Sequence, residues 1–120
     1  MQTPDPVTIG NVLYPVADLP AAVEFYAGLG LPLSFQDKER FAAFDAGTMF
    51  ALTAGAENLT LGHAAVSFRV ADVDAAMTVA TAAGGSVIAP AHDGPHERRA
   101  VLEDPWHNLF VVYEKSGGSR

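Results

Sequence analysis

A chain of 120 residues with no cysteine and a formal net charge of −7 already excludes several classes. Disulfides, thiol catalysis and cysteine metal sites are ruled out, and an acidic surface repels the phosphates of nucleic acid. No apolar run reaches the roughly 18 residues that span a bilayer, and the segment Met1 to Pro6 lacks the basic residue and apolar core of a secretory signal. A cytoplasmic protein with neither a membrane nor a nucleic-acid partner is the expectation. The acidity either favours a cationic ligand or only keeps the chain soluble.

The elements follow in chain order. Val7 to Val16 reads as a strand of β-branched and apolar residues. Asp18 can cap a helix whose first turn accepts Pro20, whose apolar stripe is Ala21, Ala22, Phe25, Tyr26 and Leu29, and which Gly28 and Gly30 stop. Leu33 to Asp37, Arg40 to Asp45 and Thr48 to Ala54 are short strand-like segments, with Ala46-Gly47 as a tight hairpin between the last two. His63 to Val70 is again a strand. Asp72 caps a second helix, Asp74 suits its positive end, and Gly84-Gly85 ends it. Ser86 to Ala89, Arg98 to Glu103 and Leu109 to Glu114 complete the strands. Gly94 and Pro95 place His92 and His96 in a loop. The ends, 1–6 and 116–120, read as loose tails.

The order βαβββ therefore occurs twice, and the sequence repeats with it. Val16-Ala17-Asp18-Leu19 returns as Val70-Ala71-Asp72-Val73 at an offset of 54 residues, Gly30 returns as Gly84, and Val12 as Val66. The fold class expected is α+β: one domain over residues 1–120, made of two modules of about 7–61 and 62–115 that share a sheet.

The chain resembles the vicinal oxygen chelate superfamily of glyoxalases, bleomycin-resistance proteins and extradiol dioxygenases. Val16 to Leu19 running into Phe25-Tyr26 carries the resemblance. So does Asp104-Pro105-Trp106-His107-Asn108, which is similar to the family's Asp-Pro-x-Gly-Asn turn with histidine where glycine is usual. The resemblance implies a curved, barrel-like mixed sheet around a cavity, and a homodimer. In metal-using members it also implies four ligands, two per module, on the first and last strands. Those positions fall on Asn11, Ala51, Ala65 and Val111. Alanine and valine offer no donor atom and asparagine is a weak ligand, so no metal and no cofactor is expected. A relocated metal site would draw on His63, His92 or His96.

Strand alternation then gives the cavity lining. Asn11, Leu13, Met49, Ala51, His63, Ala65, Ser67, Leu109, Val111 and Tyr113 share the inward face. A hairpin register pairing Phe44 with Met49 adds Phe44, and analogy in the second module adds Arg98 and Leu102. Phe25, Tyr26 and Phe68 are assigned to the core. Trp106, in a turn at the mouth, either stacks on a planar ligand or seals an edge. The expected function is sequestration of an aromatic or cationic small molecule, an antibiotic among the candidates, with no catalytic residue. The alternative is a glyoxalase-like lyase or isomerase using a relocated metal or a histidine base.

Overall fold

The computed structural model describes residues 7–55, 62–95 and 97–115. His96 and most of the joint from Asn58 to Gly62 lie outside the described residues. Among the described residues, eight strands and two helices make the protein α+β, with parallel and antiparallel strand pairs. The chain divides into two compact units, one of residues 10–65 and one of residues 66 onward together with the start of the chain as far as Ile9.

The first unit contains most of β1 (Thr8–Pro15), then α1 (Leu19–Gly28), β2 (Leu33–Asp37), β3 (Phe41–Ala46) and β4 (Thr48–Thr53). Its strands lie in the order β2-β3-β4-β1, with β1 parallel to β4 and the others antiparallel. Asp18 starts α1 as expected: its Oδ1 accepts the Ala21 N–H at 3.1 Å, satisfying one of the helix's orphan donors. The core beneath the helix is Leu19, Ala42, Phe44, Leu52 and Ala54, with Tyr26, Leu31 and Phe50 packed against it. Tyr26 meets Phe50 edge to face at 5.0 Å, the geometry ring quadrupoles favour.

The second unit contains most of β5 (Ala65–Arg69), then α2 (Val73–Ala82), β6 (Ser86–Asp93), β7 (Glu97–Glu103) and β8 (Leu109–Lys115). The strand order is β5-β8-β7-β6, with β5 parallel to β8. Asp72 caps α2 through the Ala75 N–H at 3.1 Å. The core is Val73, Ala100, Leu102 and Val112. At Gly85 a Cβ would lie 3.0 Å from the carbonyl oxygens of Ala80 and Glu103, so only glycine lets the helix end approach β7 this closely.

Three expectations need correction. Gly47 alone turns the β3–β4 hairpin, so Phe44 pairs with Phe50 and Asp45 with Met49, not Phe44 with Met49. The cause is local. Asp45 Oδ1 accepts the Gly47 N–H at 3.2 Å, an Asx turn, and Gly47 takes φ +93, which only glycine adopts at little cost. A one-residue slip moves every side chain to the other face. Second, His92 lies in β6, not a loop: that strand runs on through Pro90, and shifts of register on either side of Ala89 absorb the irregularity. Third, Phe25 is 62% exposed and not core.

Candidate functional site: the sheet faces opposite the helices

The register decides which side chains share a face, since paired residues project to the same side. In the first unit Asn11 pairs with Met49, Leu13 with Ala51 and Pro15 with Thr53. Ala43 and Asp45 join them from β3. All lie on the face turned away from the α1 core. Asn11, Leu13, Met49 and Ala51 are therefore placed together, as alternation suggests. Phe44 is not: it is fully buried beneath α1, 6.4 Å from the Tyr26 ring.

In the second unit Ser67 pairs with Val111 and Arg69 with Tyr113. Across β8, Tyr113 pairs with Arg99, Val111 with Val101 and Leu109 with Glu103. Ser67, Leu109, Val111 and Tyr113 thus share one face. Arg98 and Leu102 are corrected to the other. Leu102 is core under α2. The Arg98 guanidinium donates to Asp74 of α2 at 3.0 and 3.2 Å and to Asp93 at 3.4 Å, and its Asp74 hydrogen bond holds it charged beyond the usual range. Analogy with the first hairpin carried the same slip into the second.

The remaining candidates are scattered. Ala65, the first residue of β5, is buried. His63 is exposed before that strand. Trp106 is 77% exposed in the β7–β8 turn. That turn is built around Asp104, whose Oδ1 accepts the Trp106 and Asn108 N–H groups at 2.9 Å and whose Oδ2 accepts the Asn108 amide at 3.0 Å. These bonds, those from Asn108 first, hold the Asp104 carboxyl below its ordinary range. Its contribution to stability is therefore present above the ordinary carboxylate range and fades as pH falls through the lowered value. An Asp104→Asn variant should show a flatter acid limb in thermal melts between about pH 5 and pH 2.

His107 sits at φ +73, where the family turn has glycine. Its contact to Glu103 at 3.4 Å involves a ring 83% exposed, which contributes little. His107→Gly should accordingly raise stability by up to about 1 kcal/mol, the backbone relief exceeding the extra unfolded-state entropy. Urea unfolding checks this.

Sequence reasoning missed Arg99, Val101 and Ala43 as members of these faces. The signal that would have found them is Asp45 placed two residues before Gly47. On the helix side each unit also has an open apolar groove: about 530 Å³ beside α2, bordered by Phe68, Val79 and Phe110, and about 630 Å³ beside α1, bordered by Tyr14, Tyr26 and Leu29.

The chain belongs to the Glyoxalase/Bleomycin resistance protein/Dioxygenase superfamily, whose family model matches residues 8–112. It is similar to an uncharacterised protein of Mycolicibacterium smegmatis, 38% identical over 103 residues that cover 85% of this chain and 89% of that protein. The fold is shared with a structure described as the NAD-dependent benzaldehyde dehydrogenase from Legionella pneumophila (TM-score 0.72, 22% identity, 92% of this chain and 100% of that one). It is shared as well with methylmalonyl-CoA epimerase from Mycobacterium tuberculosis (TM-score 0.69, 21% identity, 90% of this chain and 87% of that one).

The four residues that the resemblance assigns to metal positions do not fit a divalent ion. Ala51, Ala65 and Val111 are buried without a donor atom, which leaves the Asn11 amide. Among the described residues, no three histidines or acids stand close enough to hold an ion elsewhere. Among the described residues no helix is long and apolar enough to cross a membrane.

Proposed function

We propose that this protein binds a small organic molecule on the sheet faces turned away from its helices, without a metal at the superfamily's four positions. Asn11 carries the reading. Its Oδ1 is buried and, among the described residues, meets no hydrogen-bond donor. Such an acceptor costs a folded protein about 1–3 kcal/mol, which a ligand N–H or O–H would relieve. Sequestration of a drug, as bleomycin-resistance proteins perform it, is one form of this function. A homodimer is part of the reading, and exposed apolar side chains such as Phe25 and Val79 are candidates for burial in it.

Asn11→Leu tests the proposal. It should raise stability by about 1 kcal/mol or more while weakening ligand binding, the trade expected of a functional polar group. A variant that is destabilised would make Asn11 a structural residue and remove the main support. The second reading is an enzyme of the isomerase or lyase type. It is favoured by His92, an imidazole that the register places in one row with Arg99 and Tyr113, Arg99 standing between the two rings. His92→Gln leaving turnover of a candidate substrate unchanged would dismiss it.

A further inference from the structure

One row of the second unit differs in kind from its counterpart in the first. Reading across the strands, His92 pairs with Arg99, Arg99 with Tyr113, and Tyr113 with Arg69. Ala91 packs into the core under α2, so His92 points to the opposite side, with the others. The corresponding row of the first unit runs Asp37, Phe41, Thr53 and Pro15. The same strand arrangement is thus built without a single cation there. The fold does not require two arginines in this row, and of the two only Arg99 has an ion-pair partner among the described residues.

We propose that this row is a carboxylate-binding subsite, so that the ligand of the sheet face is a small organic acid. The inference rests on the ligand-binding reading above and specifies its chemistry. Arg69 is exposed and forms no ion pair among the described residues, unlike Arg40, held by Asp37, and Arg98, held by Asp74 and Asp93. The Arg99 side chain is 11% exposed and is braced by Glu97 at 3.3 Å. Guanidinium groups bind carboxylates in a planar, two-pronged geometry that Lys cannot match. Burial pushes the Tyr113 phenol up, Glu97 adds to this and Arg69 opposes it, so the hydroxyl stays protonated and able to donate.

This reverses the preference for a cation that the net charge of −7 suggests. Charges more than a Debye length away, about 8 Å at physiological salt, are largely screened, whereas Arg69 and Arg99 would touch the ligand. Local charge therefore decides.

The test is a panel of small aryl and alkyl carboxylates with their carboxamide and ammonium counterparts, followed by amide chemical shifts in NMR. Carboxylates should shift the amides of β7 and β8 around Arg99 and Tyr113 and bind at least about tenfold tighter than the matched carboxamides. Arg69→Met keeps the apolar stem and should abolish that difference, while Arg98→Met, on the helix side, should leave it intact. Carboxamides or ammonium compounds that bind this face as well as the acids would overturn the carboxylate assignment and leave the ligand-binding reading standing. So would inorganic phosphate shifting the same amides as strongly, or an Arg69→Met variant with undiminished selectivity. A panel that shifts no amide in this row and none around Asn11 would overturn both.

Discussion

Phe44→Ala should destabilise the protein by about 3–5 kcal/mol, a large part of the 5–15 kcal/mol that holds a typical domain folded. Phe44 is 0% exposed and lies in one cluster with Leu19, Ala42 and Leu52, with its ring 6.1 Å from Phe50 and 6.4 Å from Tyr26. Removing the ring forfeits its transfer free energy and leaves a cavity that helix and sheet close only in part. The direction also tests the register. Were Phe44 paired with Met49 and turned toward the ligand face, its truncation would weaken binding and cost little stability. Urea unfolding of the variant beside wild type separates the two, and a cost below about 1 kcal/mol would contradict the observed register.

Glu114→Ala is the second large effect, at about 1.5–3 kcal/mol. Glu114 is only 8% exposed, yet it is a carboxylate on a sheet strand. Its Oε1 accepts the Val73 N–H at 2.7 Å, across 41 residues of sequence. Val73 opens α2, so this bond satisfies the first orphan donor of the helix while Asp72 satisfies Ala75. Negative charge at a helix N-terminus is favourable in addition. Alanine removes both the acceptor and the charge and leaves a buried N–H. Glu114→Gln keeps an acceptor of the same length and should recover more than half of the loss. Thermal melts of the pair check this. Equal losses in both variants would assign the effect to charge alone.

Much of the local structure is legible in the residues themselves. Asp18 and Asp72 are followed three residues later by the N–H groups they cap, and glycine ends both helices. The turn from Asp104 to Asn108 is equally readable, because its side chains bond only within it. The site was half legible for one reason. Alternation along a single strand is a local property, so Asn11, Leu13, Ala51, Ser67 and Val111 fell on the observed face. Alternation across a hairpin depends on the turn, and reading Ala46-Gly47 as a two-residue loop displaced Phe44. The same displacement, carried over by analogy, put Arg98 and Leu102 where Arg99 and Val101 stand. Arg99 was thereby left off the face, and with it the row proposed to bind a carboxylate. The opening of the Glu114 bond to Val73 could not be foreseen either, because nothing local links residues so distant in sequence.

The measurement that bears most directly on metal-independent binding at the sheet face is native mass spectrometry of protein purified without chelator or affinity metal, with elemental analysis and the carboxylate panel. The expected result is no divalent ion in stoichiometric amount and a mass gain of one organic acid per chain that survives added chelator. A tightly held divalent ion at about one per chain, or binding that chelator abolishes, would contradict it.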